Sequence, residues 1–408
     1  MMPMVYTVYG FAIFFMIAWV CLWLIHIMAL SYSKWKLHRV VDRSPPEQPY
    51  PGVSILKPLT GVDPNLFSNL ETFFTLDYPV YEVLFCVENE KDPAVMLVNS
   101  LLAKYPNVDA RLFIGAGKRV GVNPKINNMQ PAYLAGKHPL VLVSDSGIRM
   151  REDTLLDMVQ HLRDDVAIVH QMPFTSDADG FAAVYEKVYF GTAQARMYLC
   201  AELLGINCHV GMSSLVRRCA LEEAGGLAAF ADYLAEDYFI AKALLARGWR
   251  MRVASLPALQ NCGTRSVGSL QARLARWARL RIAMVPTTTL LEPLSECMPL
   301  GAGAAWASGQ LLGAEPLAFF LVHVLLWFLS DWVMLRSVQN GSPPFTKVQF
   351  LVGWVWSECC APFLLAAALL SPGISWRARS YRLDWGGRAH ELNPKLKLRT
   401  DQVLYITC

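Results

Sequence analysis

"VLVSDSGIRM", residues 141–150, opens on apolar residues and runs straight into Ser144-Asp145-Ser146-Gly147. A short apolar run bounded by turn residues fits a strand buried on both faces, the habit of parallel sheets. In open parallel sheets, ligands bind beyond the carboxyl ends of the strands. Asp145 stands at that end, where a buried carboxylate without a partner is too costly to persist. It calls for a cation, a metal ion or a sugar hydroxyl, and the small residues beside it leave room. Asp-Ser-Gly is also ordinary turn chemistry, so this stretch alone leaves both readings open.

Outward from it, "GVSILKPL", "YEVLFCVEN", "ARLFIG" and "VAIVHQMP" read as further strands, the first ended by Pro58. "NLFSNLETFFTL", "AVMLVNSLLAKY" and "DTLLDMVQHL" have helical spacing between them. Strands alternating with helices predict an α/β domain with a mostly parallel sheet, here over residues 53–291. The flanks differ. Val5 to Leu30 is apolar except for His26, long enough to cross a bilayer of ~30 Å, and is followed by Lys34, Lys36, His38, Arg39 and Arg43. This predicts an uncleaved anchor over 1–33 with its basic flank in the cytosol, then a basic, Pro-rich linker over 34–52.

Residues 292–371 form a second apolar region, with stretches at Met298–Leu312, Leu317–Leu335 and Val348–Leu370. The first is short and rich in Gly and Ala, which fits a re-entrant or interfacial segment. Asp331 and Glu358 lie inside the other two and should face protein or a polar cavity. The tail, 372–408, is basic again through Arg377, Arg379, Arg382, Arg388, Lys395, Lys397 and Arg399. The positive-inside rule puts it in the cytosol and requires an even number of crossings after the α/β domain. A net charge of +4 is too weak for a nucleic-acid binder, and its basic residues cluster beside apolar stretches. The ten cysteines form no CxxC pair and read as reduced, half-buried residues.

Other candidate residues fall along the same domain. "CVENEKDPAV" ends a strand and offers Asp92 before Pro93. "NPKINNM" supplies Lys125 and Asn128, and Lys57 lies in the first strand. Glu236 and Asp237 open the helix of "AEDYFIAKALLARGW", where simple capping is the plainer role for acids. "QARLARWARLRIAM" puts Arg273, Arg276 and Trp277 on or near one helix face, with Arg279 and Arg281 turned away. A basic helix lying on anionic headgroups explains that run equally well.

Asp92, Asp145 in "DSG", Glu236-Asp237 in "ED" and Arg273 to Trp277 in "RLARW" resemble the D…D…D…(Q/R)xxRW series of family 2-like glycosyltransferases with a GT-A fold. "KYPNVDARLFIG", "NPKINN", "FGTAQARMY" and "SWRARSYRLDWGG" narrow the resemblance, over almost the whole chain, to family 21, the ceramide glucosyltransferases. It implies a Golgi membrane enzyme with its catalytic domain in the cytosol. It also implies inverting transfer of glucose from UDP-glucose to the primary hydroxyl of ceramide.

On that resemblance Asp237 is the base, accompanied by Glu236 and Arg276. Asp92 contacts uridine, and Asp145 the ribose or a Mg²⁺ or Mn²⁺ ion. Lys57, Lys125, Asn128, Arg273 and Arg276 complete the donor site. Trp277, Gln194 and Cys208 fall on the acceptor side, and Arg379 and Tyr381 are placed as a lid. The sequence departs from the pattern twice: Gly147 replaces the second acid of Asp-x-Asp, and Gln194 replaces a common histidine. Transfer to a sterol or hopanoid-type lipid, or a non-catalytic membrane scaffold, are the competing readings.

Overall fold

A computed structural model describes residues 2–44, 48–115, 117–176, 179–263, 266–371, 373–376 and 379–392. Seven strands build the central sheet: β1 (Val53–Leu59), β2 (Tyr81–Val87), β3 (Ala110–Ile114), β4 (Leu140–Ser144), β5 (Val166–His170), β6 (Ser213–Arg217) and β7 (Arg250–Val253). Their order is β3-β2-β1-β4-β6-β5-β7. β6 runs antiparallel to both neighbours, and the other pairings are parallel. All of β1 is buried, which explains its unbroken apolar texture. It continues through Pro58, where a strand end was expected. Its ladder with β4 has already stopped at Leu56, so the missing N–H of Pro58 is not needed on that side.

The chain leaves β1 toward β2 on one side and meets β4 on the other. That reversal opens a crevice at the carboxyl ends of the strands, where Asp145 follows β4. The helices that frame it are α2 (Pro124–Ala135), α3 (Ala195–Leu204), α4 (Glu236–Leu245) and α5 (Val267–Met284).

With the anchor counted as α1 (Met2–Lys36), the remaining long helices are α6 (Cys297–Leu312), α7 (Pro316–Gln339) and α8 (Lys347–Leu370). Among the described residues α1, α7 and α8 are long and apolar enough to cross a membrane. α6, with 16 residues, reaches only ~24 Å. Its small residues let it wedge between α1 and α7. A Cβ on Gly303 would lie 2.4 Å from Phe15, and one on Gly301 2.4 Å from His323.

Asp331 and Glu358, inside this bundle, both find donors. Asp331 accepts from Arg196 of α3 at 2.8 Å and from the Trp354 indole at 2.9 Å, with His26 at 3.3 Å. Glu358 accepts from the Met298 N–H at 3.3 Å. The anchor is therefore tied to the α/β domain through charge as well as through apolar packing.

The tail carries a small sheet of its own that the sequence did not announce: β8 (Ile374–Trp376), β9 (Arg379–Leu383) and β10 (Ala389–Glu391). It docks on the α/β domain. The Ala389 N–H donates to the Asp232 carbonyl at 2.9 Å, and Arg388 pairs with the Asp232 carboxylate at 2.8 Å. Tail and domain thus lie on one side of the membrane helices. Arg377, Lys395, Lys397 and Arg399 fall outside the described residues.

Candidate active site

The site begins with the lysine of "NPK". Asn123 caps α2, its side chain accepting from the N–H groups of Lys125 and Ile126 at 2.8 and 3.3 Å, and Pro124 fits the first turn. This fixes Lys125 at the crevice. Its ammonium lies 2.9 Å from Asp145, 3.1 Å from Glu236 and 3.2 Å from the Gly211 carbonyl. Burial opposes its charge, but the carboxylates of Asp145, Glu236 and Asp237 outweigh burial and raise its pKa.

Asp237 opens α4 beside it. Its two oxygens accept from the N–H groups of Gly211 and Tyr238, both at 2.8 Å. The Gly211 contact needs glycine, since a Cβ there would sit 2.9 Å from the Asp237 Cβ. Burial raises the Asp237 pKa above the ordinary carboxylate range, while Lys125 pulls it back. Glu236 is raised for the same first reason, opposed by Lys125 and reinforced by Asp237. Lys125 is a cation that favours the ionised form of Asp237.

His209, unmarked by any sequence motif, holds this carboxylate's backbone. Its Nδ1 donates to the Asp237 carbonyl at 2.7 Å, so Nε2 is the acceptor for the Ser214 hydroxyl at 2.5 Å. Burial lowers its pKa to about 4, which keeps the ring neutral.

One cavity of about 1890 Å³ joins these groups to Asn128, Arg273, Arg276, Trp277, Gln194 and Cys208. Asn128 donates its amide to the Cys86 and Leu59 carbonyls at 2.9 and 3.5 Å. Arg273 is held by Glu186 and by Gln260 at 3.0 Å, and stacks over Trp277 at 5.1 Å. Arg279 and Arg281, expected to turn away, also line the cavity, because it wraps around α5. Arg281 is fixed there by Glu292 at 2.6 Å. Gln194 closes a π-helical turn, Phe190–Gln194, and donates to the Tyr189 hydroxyl at 2.8 Å. Burial pushes the Cys208 thiol up to about 12, so it is an uncharged group of the wall.

Asp92 and Lys57 lie off the cavity, and Arg379 and Tyr381 sit at its edge. The Asp92 carboxylate accepts from Gly61 N–H at 2.9 and 3.0 Å and from Ala94 N–H at 2.9 Å. It shapes the loop after β1 and starts the next helix, and it does not line the cavity. Lys57 is buried beneath the site, donating to the carbonyls of Asp145 and Ile148 at 2.7 and 3.3 Å. Arg379 and Tyr381 do border the cavity. Tyr381, however, is fully buried in a small core with Leu234, Ile374 and Ala389, and Arg379 bonds Glu88 at 3.3 Å. They sit on a sheet already folded onto the domain.

Gly147 has a physical cause. A Cβ there would lie 2.1 Å from the Cys262 sulfur, so an acid cannot stand at 147 while Cys262 keeps its place. Among the described residues no three His, Cys, Asp or Glu side chains are grouped to hold a metal ion. Asp145 alone, with a half-exposed carboxylate on the cavity wall, suits one contact to a divalent cation.

The strand order with its single reversed strand, and acids gathered where the sheet splits, define a nucleotide-sugar transferase of the GT-A class. Residues 21–389 match the glycosyl transferase family 21 model, and the chain belongs to that family. Ceramide glucosyltransferase 3 of Caenorhabditis elegans is 46% identical over 90% of this chain and 80% of its own length. Ceramide glucosyltransferase 1 of the same organism is 44% identical over 90% of this chain and 78% of its own. Among solved structures, the mannosyltransferase PcManGT from Pyrobaculum calidifontis, in complex with GDP-Man and Mn²⁺, aligns at 16% identity. It covers 86% of this chain and 99% of its own, with a TM-score of 0.49.

Proposed function

We propose that the protein transfers glucose from UDP-glucose to the primary hydroxyl of ceramide, with inversion, on the cytosolic face of a Golgi membrane. The observation that carries this reading is the single cavity in which Asp145, Lys125 and Asp237 share walls with a membrane-length helix, α8. A water-soluble nucleotide sugar and a lipid hydroxyl can meet there without the lipid leaving the bilayer. The basic flanks after α1 and in the tail put that face in the cytosol, and the family relatives carry the name ceramide glucosyltransferase.

Asp237 takes the proton from the acceptor hydroxyl. The oxygen forms its bond to the anomeric carbon as the carbon–phosphate oxygen bond breaks, and UDP departs with that electron pair. Inversion follows from a single displacement from the opposite face. A base with a raised pKa suits this work, because it accepts a proton more readily than an ordinary aspartate. Lys125, Arg273 and Arg276 supply the positive charge that steadies the leaving diphosphate, and Asn128 belongs to the donor wall. Lys125 also holds Asp145 and Glu236 in place. Asp145 would hold a Mg²⁺ or Mn²⁺ ion, which would supply further neutralisation of the leaving group. Trp277 gives the acceptor a flat apolar wall, flanked by Gln194 and Cys208, while Arg379 and Tyr381 close the cavity edge from the tail sheet.

Membranes containing the protein, given labelled UDP-glucose or UDP-galactose with ceramide, diacylglycerol or sterol, test the reading with and without EDTA. Glucose appearing on ceramide alone is the expected result. Transfer to sterol, or to no lipid, overturns it.

A further inference from the structure

The cavity is larger than one ligand requires. Small-molecule sites run to roughly 300–1,000 Å³, against about 1890 Å³ here. The surplus has a direction. Cys360, Phe363, Leu364, Ala367 and Ser371 all line it. Their spacing of three, one, three and four residues makes one stripe along α8 and its C-cap. At ~1.5 Å per residue this stripe runs about 16 Å along the helix.

The same cavity is lined from α5 and the turn after it by Ala272, Ala275, Met284, Val285 and Thr288, with the polar Gln271, Arg276 and Arg279 on the same helix. Alanines on both walls keep the space open. Phe363 is 54% exposed, so the groove opens sideways where α8 would meet lipid. At its other end the same cavity reaches Asp237.

We propose that this groove between α5 and α8 holds one hydrocarbon chain of the lipid acceptor, and so measures chain length while the head group lies at Asp237. This rests on the lipid-glucosylation reading and adds to it a site for the tail. Cys360, Phe363, Leu364 and Ala367 give the groove an apolar wall on α8, and Gln271 closes its Cys360 end with a hydrogen bond to that sulfur at 3.6 Å. The groove takes an alkyl chain of either origin, the sphingoid base or the N-acyl group.

Ala367→Trp fills the groove near its mouth. The experiment measures KM and kcat for ceramides in detergent micelles, with the N-acyl chain and the sphingoid chain shortened separately. A367W is expected to raise KM for the long-chain acceptor at least about tenfold, the equivalent of two buried methylenes. Its kcat and its KM for UDP-glucose should stay within about twofold of the parent. Shortening one of the two chains should abolish the difference, and that chain is the occupant. Phe363→Ala widens the groove and should lower KM for an acceptor with a bulky tag at the end of that chain. The proposal is overturned if A367W treats every chain length as the parent does, or loses all acceptors equally with UDP-glucose KM intact. An unchanged KM of F363A for the tagged acceptor counts against it as well. If the parent itself glucosylates no ceramide, the functional reading fails instead, and the two failures are told apart.

Discussion

Two clusters of buried charge in this molecule are built differently. Around Asp331 an arginine, an indole N–H and a histidine converge on one carboxylate at 2.8 to 3.3 Å, inside the helical bundle. Around Lys125 the ratio is reversed: one ammonium lies among Asp145, Glu236 and Asp237. The first cluster is closed, and its acid has the donors it needs. The second has more negative charge than its lysine can match and faces an open cavity. Surplus charge of this kind is costly at rest, and it is usable only where a proton or a cation is to arrive.

The comparison breaks most visibly at Asp237. Asp237→Asn should cut kcat by about 10² to 10⁴ while UDP-glucose still binds, as read by single-turnover assay and nucleotide titration; unchanged turnover would remove Asp237 as base. The closed cluster should fail by unfolding instead. Asp331→Leu leaves Arg196 buried without its acid, and a loss of about 3–5 kcal/mol is expected, measured as denaturant stability in detergent. Replacing Arg196 with Met in the same chain should recover part of it; if the double variant is no better than the single, the pair is not what matters.

Gly147→Ala brings a Cβ onto the Cys262 sulfur. It should cost about 1–3 kcal/mol by overpacking, and Cys262→Ala should restore most of that in a thermal melt. Lys125→Met is the subtlest case. Lys125 is the cation that lowers the raised pKa of Asp237, so its loss raises that pKa further. Transfer requires the ionised base. The acid limb of kcat/KM, already above the ~3.9 of a free aspartate, should therefore move to still higher pH in K125M. A limb that stays in place shows that Lys125 does not act on Asp237.

Much of the chemistry was readable in order along the chain. Asp145 follows its strand, "NPK" sets Lys125 at a helix start, and "ED" opens α4, because local turn and cap rules apply to each. Asp92 shows where such reading stops. Its place at a strand end suggested a ligand, yet its oxygens are taken by Gly61 and Ala94 N–H groups, as its position just before a helix also allowed. His209 carries no local signal at all, since its partners lie 28 and 5 residues away. The tail sheet was missed because its three short strands pair with one another and rest on Asp232, far back in the sequence.

The sequence by itself determined the α/β domain, the apolar flanks and the chemical types at the crevice, because strand burial, helix periodicity and caps are set within a few residues. Only the tertiary structure decided which acids share Lys125, why residue 147 must be glycine, and how far the cavity follows α8. Those are contacts between elements distant in the chain, and their distances exist only once the sheet and the helices have packed.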